Sequence, residues 1–306
     1  MSLTPAVAQD LKQALATVVV VPVTPLHADG IPDWEAYAAL TRRLIDGGIT
    51  VITPNGNTGE FYALSQAEAR QVLETAARAS HGQTELLAGV GHDIATAVEA
   101  AGHAREHGAR MIMIHQPVHP YVSREGWIGY HAAIANQVPD LGVVLYIRNE
   151  RITGADIAAL ADQSPNVIGV KYGVRDASTF AAVARDAGID RFTWLAGAAE
   201  PAAPAYWACG AHGFTSGVAN VSPAIAVAML DALRKNDFPA AMTVWESVRR
   251  FEELRGADAS ADNVSVVKEA MAQLGLCRAD VRPPSRLLPA STRQEISGIL
   301  RAWGLT

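Results

Sequence analysis

Cysteine is nearly absent: Cys209 and Cys277 are the only two in 306 residues. Two thiols cannot make a disulfide scaffold, so a reducing, cytoplasmic setting is expected. Charge is sparse as well. Asp, Glu, Lys and Arg make up 18% of the chain, below the ~25% of an ordinary soluble protein. Basic charge is the scarcer sign, with 25 Lys+Arg against 31 Asp+Glu and a formal charge of -6. That argues against a nucleic-acid partner, because a phosphate backbone is bound by a basic face. Long apolar runs are missing too. The stretch from Ala14 to Val23 is too short to span a bilayer and contains Pro22. It has no basic leader beyond Lys12 and no small-residue cleavage site after it, so it does not read as a signal peptide. No membrane partner is expected. Nor is there a Cys-x-x-Cys, a Walker loop or a dinucleotide fingerprint, so neither metal nor nucleotide cofactor is expected.

What is present is apolar residue, 49% of the chain, enough for a large core and a subunit interface besides. Short apolar runs alternate with longer helical patterns. The runs are Thr17–Val23, Thr50–Pro54, Glu85–Val90, Arg110–His115, Gly142–Ile147, Val167–Tyr172, Arg191–Ala196 and Gly213–Gly217. Each is nearly continuous, as in parallel strands buried on both faces. Between them stand helix signals: Asp33 as an N-cap, Ser65 with Glu68 as a capping box, and Thr153 with Asp156 as a looser one. Gly47 and Gly48 stop the first of these helices. Eight strand–helix units predict a (β/α)8 TIM barrel. A doubly wound open sheet is the alternative, but it favours a Gly-x-Gly-x-x-Gly turn where Val23-Thr24-Pro25-Leu26 stands. Beyond Ser222-Pro223 the pattern is helical, at about 223–235, 238–255, 263–275 and 290–303. The barrel is therefore assigned to residues 1–235 and a C-terminal helical appendage to 236–306. The polar, Ala/Asp-rich stretch 256–262 reads as a mobile link.

A barrel of this kind carries its site at the C-terminal strand ends. Lys171 closes the run Val167-Ile-Gly-Val-Lys. A lysine within an apolar strand is neutralised or paired, because a buried ammonium is costly, and the free amine is the nucleophile that a Schiff base needs. The plain alternative is a strand-end lysine that snorkels to water. Tyr146 ends the preceding strand, where its phenol could carry protons to and from a substrate held on Lys171, or could be a β-former satisfied locally. Gly56-Asn57-Thr58-Gly59 follows the second strand. Its backbone N–H groups and the Thr58 hydroxyl suit a carboxylate, although most glycine-rich turns are only turns. Arg148 and Arg151 flank the fifth strand end and could grip a second carboxylate or sugar hydroxyls, or form a solvated loop. Gly197, Thr215 and Ser216 stand at the last two strand ends, and His119 follows the fourth. His103-Ala-Arg-Glu106-His107 fits a zinc pattern but lies mid-helix, away from the strand ends, and reads as a solvent-facing pair.

These motifs, in order, resemble the dihydrodipicolinate synthase/N-acetylneuraminate lyase family of class I Schiff-base lyases, from about Val18 to Pro289. The resemblance rests on Gly56-Asn-Thr-Gly-Glu60, Pro120-Tyr-Val-Ser-Arg-Glu-Gly126, Leu145-Tyr146, Gly169-Val-Lys171, Gly197-Ala-Ala-Glu200 and Gly213-Phe-Thr-Ser-Gly-Val-Ala-Asn220. It implies that Lys171 forms an imine with a 2-oxo acid and that Tyr146 is the general acid/base. Thr58 and its neighbours would hold the carboxylate, and Arg151 matches the synthase arginine for a second substrate. A homo-oligomer, dimer or tetramer, is implied as well.

Two positions depart from the synthase pattern: Asn57 replaces the first of paired threonines, and His119 replaces a tyrosine of the proton relay. Tyr146-x-Arg148 and Lys171-x-Gly173 are similar to the 5-dehydro-4-deoxyglucarate dehydratase branch. The chain is therefore expected to act on a sugar-derived 2-keto-3-deoxy acid, as dehydratase or aldolase, without metal or organic cofactor. The alternatives are a 4-hydroxy-tetrahydrodipicolinate synthase that condenses pyruvate with aspartate semialdehyde, and a non-catalytic barrel that binds a 2-oxo acid. A phosphate-binding barrel is disfavoured, since Glu200 would repel the anion.

Overall fold

A computed structural model describes residues 2–306. Eight strands, β1 (Val18–Val20), β2 (Val51–Ile52), β3 (Glu85–Val90), β4 (Met111–Ile114), β5 (Gly142–Ile147), β6 (Val167–Tyr172), β7 (Thr193–Ala196) and β8 (Gly213–Ser216), form a closed barrel in chain order. From β2 to β8 each strand pairs parallel with the next. The expected strands and the barrel are thus present. Several strands are shorter than their apolar runs, because the outer residues turn into loops before the ladder begins or after it ends.

The described residues group into two compact units. One holds the chain up to Val19, Thr50–Thr53 and Thr84–Thr215. Its core gathers Val19, Val51, Leu87, Met111, Met113, Val144, Tyr146, Ile168 and Leu195, one or two residues from each of seven strands. Residues drawn from so many strands meet only inside the barrel. Leu11 and Leu15 join them from a helix, Pro5–Leu15, that the apolar pattern did not single out. That helix has only these two buried positions, four apart, and its Thr4 cap and Pro5 at the first turn are its remaining signals.

Strand β6 departs from regular alternation. Val143 pairs with Val167 but Val144 pairs with Gly169, so Ile168 is an extra residue, a β-bulge. Ile168 packs in the interior core. A Cβ on Gly169 would stand 3.3 Å from Leu15 and 3.4 Å from Val144, so this position faces inward as well. Beyond the bulge the strand resumes its period of two, which aims Lys171 inward. Tyr172 faces the other way, against Phe180 and Tyr206.

The second unit holds Val20–Ile49, Pro54–Gln83 and Ser216–Thr306. Asp33 and Ser65 cap their helices as expected, the latter in a complete capping box with Glu68. The C-terminal helices are Phe238–Ser260, Asn263–Gln273 and Ala290–Ala302. They bury Val248, Phe251, Val267, Met271, Ile296 and Leu300 in one core with Val23 and Val218. The expected link at 256–262 is a break rather than a loop. Ala257 is extended, and Asp258 and Ala259 are left-handed at φ 47° and 52°.

In the first unit His131 is fully buried and its Nδ1 lies 2.8 Å from the Trp127 carbonyl. Burial pushes its pKa down to about 4. The folded state therefore resists a proton that the unfolded chain accepts below ~6.5. Stability is expected to fall by up to about 3 kcal/mol as pH drops from about 6.5 to 4, and to lose no more from this group below that. Urea unfolding across this range reads the slope. A His131→Phe variant should lack it, and a variant with an unchanged slope would assign the acid sensitivity elsewhere.

Candidate active site

Strand register places the candidate residues of the first unit. Tyr146 and Lys171 are directly opposed on β5 and β6. Both are buried, at 7% and 5% exposure. The Lys171 Nζ lies over the tyrosine ring, 4.3 Å from its centroid, within the range of a cation–π contact. Leu195 of β7 is the next residue in the same row. On the other side, the β4–β5 register pairs Ile114 with Leu145, which places His115 beside Tyr146. Its backbone N–H continues the ladder, donating to Val90 at 2.9 Å. The His115 ring is fully buried and meets Tyr146 edge to face, with centroids 6.1 Å apart. Three consecutive strands thus deliver histidine, tyrosine and lysine at one level of the barrel interior.

Sequence reasoning passed over His115 as the end of an apolar run. Its signal was there in the alternation Met111, Met113, His115, since residues two apart share a face and the two methionines are interior. The next residue, Gln116, donates from its side chain to the Tyr146 carbonyl.

The remaining candidates of this unit divide by burial. Gly197 donates its N–H to Tyr172 at 2.7 Å, and a Cβ there would stand 2.8 Å from the same carbonyl. Only glycine fits. The buried Thr215 hydroxyl reaches the Gly197 carbonyl at 3.4 Å. Arg148 and Arg151 are exposed on the loop after β5, where Asn149 accepts the Arg151 N–H at 3.0 Å. His119 is exposed too. Its Nδ1 accepts the Tyr121 N–H at 3.2 Å, and its ring faces that tyrosine rather than Tyr146. The outer pair His103 and His107 is half-buried rather than solvent-facing, with ring centroids 4.3 Å apart.

The second unit holds the glycine turn. Asn57–Gly59 is one turn of 3₁₀ helix, with Thr58 and Gly59 buried. The Gly59 carbonyl accepts the Thr24 hydroxyl at 2.8 Å, and a Cβ on Gly59 would stand 2.8 Å from the Pro22 carbonyl. Asn57 Oδ1 is buried with no hydrogen-bond partner. Ser216 turns its hydroxyl to the Ala219 N–H at 2.9 Å, so it caps its own loop.

The turn ends at Glu60, which is left-handed at φ 61°, a conformation costing an ordinary residue roughly 1–2 kcal/mol. Its side chain explains why a glutamate sits there. One oxygen pairs with the fully buried Lys268 ammonium, and the other accepts the Arg282 N–H at 2.8 Å. Lys268 also donates to the Asp280 carbonyl at 2.9 Å. Burial lowers the Lys268 pKa, and the Glu60 charge opposes that shift. Arg282 reaches on to the Gly30 carbonyl at 2.7 Å and to Glu68 at 2.6 Å. Its hydrogen bond holds the Glu68 carboxyl down at about 2.

The profile of the dihydrodipicolinate synthetase family matches residues 14–303. The chain belongs to this family. It is a lyase that acts through a lysine Schiff base. The 4-hydroxy-tetrahydrodipicolinate synthase of Phenylobacterium zucineum is 30% identical over 286 residues, covering 92% of this chain and 95% of its own. A protein of Rhizobium rhizogenes named as a probable 5-dehydro-4-deoxyglucarate dehydratase is 33% identical over 283 residues, covering 90% and 91%. The crystal structure of dihydrodipicolinate synthase from Bacillus clausii superposes with a TM-score of 0.93 at 38% identity, covering 96% of this chain and 99% of that one. Relatives of both activities stand at similar distance. Among the described residues no helix is long and apolar enough to cross a membrane.

Lys268→Met leaves Glu60 buried without its ammonium. The expected cost is about 3–5 kcal/mol, most of it recovered when Glu60→Gln is added. Urea midpoints of the two variants measure this. A single variant as stable as the parent would show that the pair contributes nothing to the turn's fold.

Proposed function

We propose that Lys171 is the imine-forming lysine, that Tyr146 is its proton carrier, and that the substrate is a sugar-derived 2-keto-3-deoxy acid. The observation that carries this is the buried, directly opposed Tyr146–Lys171 pair at the C-terminal end of the barrel. The Lys171 amine adds to the C2 carbonyl, and the carbinolamine hydroxyl leaves as water with the Tyr146 proton, giving the iminium beside a Tyr146 phenolate. Electrons of a C3–H bond then flow into the iminium, forming an enamine, and the proton passes to the Tyr146 oxygen. The enamine expels the C4 hydroxyl, which takes that proton and departs as water; water then hydrolyses the conjugated iminium, freeing the unsaturated 2-oxo acid and the Lys171 amine and returning a proton to Tyr146. One carrier serves both steps, so no second-substrate relay is required.

To the Asn57–Gly59 turn we assign the acid's carboxylate, on the chemistry of its N–H groups and the Thr58 hydroxyl. Arg148 and Arg151 are assigned the distal hydroxyls or carboxylate. His119 is left a minor part, since its ring is engaged by Tyr121. No metal or organic cofactor is needed, because the imine is itself the electron sink. A cytoplasmic homo-oligomer completes the assignment. Tyr121 is 85% exposed and Val118 58%, apolar surface on one loop that a second copy would cover.

Borohydride added with pyruvate should trap a secondary amine on Lys171, seen by intact and peptide mass spectrometry. An adduct that survives Lys171→Ala would move the imine to another lysine, and no adduct with any 2-oxo acid would exclude this assignment.

The substrate is tested side by side: pyruvate plus aspartate semialdehyde against a panel of 2-keto-3-deoxy sugar acids. We expect turnover on the panel and poor condensation. Condensation at a kcat/KM of ~10⁴–10⁸ M⁻¹s⁻¹ with an inert panel would establish the synthase instead.

A further inference from the structure

We propose that His115 is a positioning residue for Tyr146: it packs on the phenol ring from the strand on the other side of β5 from Lys171. This rests on the assignment of Lys171 and Tyr146 above and extends it to a third strand. The position is unusual for its residue type. Strand β4 is Met-Ile-Met-Ile, and the residues on the interior phase before His115, Met111 and Met113, are plain core. An imidazole there, fully buried, loses water that a methionine never held. What it meets is the Tyr146 ring, edge to face at 75° and 6.1 Å, an arrangement aromatic pairs favour.

Tyr146 is therefore contacted from both neighbouring strands. Lys171 lies over the ring at 4.3 Å, and His115 packs against it from β4. Behind it, the Gln116 side chain holds the Tyr146 carbonyl. A Cβ on Gly173 would come within 3.2 Å of the tyrosine Cε2, so the ring also fills the space left by that glycine. A tyrosine ring has one soft torsion to the backbone and one about its own axis. Contacts from both neighbouring strands restrict both. A proton carrier is useful only when its oxygen stays within reach of the reacting carbon, and a displacement of about 1 Å can cost on the order of 10²-fold in rate.

The role predicts a split between two partial reactions that need only pyruvate. Imine formation is read as the borohydride-trapped fraction and its half-saturating pyruvate concentration. Proton transfer is read as deuterium entering the pyruvate methyl group in D₂O by NMR: the iminium loses a methyl proton to give the enamine, which regains deuterium from the exchanged carrier. In His115→Ala we expect exchange at saturating pyruvate to slow by about 10- to 100-fold. Trapping and its half-saturation should stay within about threefold. His115→Phe keeps an aromatic edge and should restore exchange to within about threefold of the parent. In a Tyr146→Phe background, already slow, His115→Ala should add little, because the two residues act as a unit.

Three results would overturn the proposal. One is His115→Ala exchange equal to the parent. Another is slowing of the same size with and without the Tyr146 hydroxyl. The third is His115→Phe as slow as His115→Ala, which would make the imidazole a proton relay and not a positioning ring. Should His115→Ala not fold, His115→Leu takes its place with the same expectations. Failure of the underlying assignment looks different: the unaltered protein would trap no imine, or Tyr146→Phe would exchange as fast as the parent.

Discussion

The extra residue in β6 decides which way Lys171 points. A strand shows alternate residues to opposite faces, and Ile168 and Lys171 are three apart. In a regular strand they would face opposite ways. Both face inward because the β5–β6 register slips by one between Val143 and Val144. The bulge satisfies two demands that a regular strand could not meet together. Ile168 fills the barrel floor above Leu11, and Lys171 enters the row of Tyr146 and His115. Gly169 makes this possible, since any larger side chain would press on Leu15 and Val144. The placement of Lys171 and core packing are thus one constraint, and the N-terminal helix Pro5–Leu15 takes part in it by supplying the floor.

The second unit meets a comparable demand by different means. Its glycine turn has too few side chains to hold itself. Shape is imposed from outside by the Thr24 hydroxyl, by the close approach of the Pro22 backbone, and by Glu60. A left-handed glutamate is a poor local choice that glycine would relieve. It is kept because the carboxylate ties the end of the turn to Lys268 and to the backbone of Arg282, more than 200 residues along the chain. The ion pair does not lower the cost of burying an ammonium so much as redirect it. Removing either partner leaves the other charge in the core, so the pair enforces one arrangement more than it adds stability.

The barrel was legible in the sequence because each strand is an apolar run and each helix carries its own start signal. Lys171 and Tyr146 stood out for a related reason: a polar group that ends an apolar run must be accounted for. The same logic applied to His115 and was not followed through, since its run could end there without remark. Three features left no trace at the level of pattern. The bulge is a matter of pairing, and nothing in Val-Ile-Gly-Val marks Ile168 as the extra residue. The Glu60–Lys268 pair joins positions whose separation hides their partnership. The helix Pro5–Leu15 buries too few residues to show a period. What sequence reads well is local, and what it misses here is register and long-range contact.

The two departures from the synthase pattern bear on the proposed proton carrier. Passing a proton along a chain of groups needs hydroxyls or rings that both donate and accept at each step. Asn57 can hydrogen-bond but cannot transfer a proton as a hydroxyl does, and the His119 ring is turned to Tyr121 on an exposed loop. Under the proposed assignment, proton traffic then rests on Tyr146, the phenol buried against the lysine. A single carrier is sufficient when the proton taken from C3 is the proton given to the leaving hydroxyl, because carrier and reaction then return to their starting state together. It is insufficient when a second substrate must be dehydrated and attacked in turn. On that assignment accuracy comes from how rigidly the one phenol is held, which is the service that a buried ring on the neighbouring strand can provide.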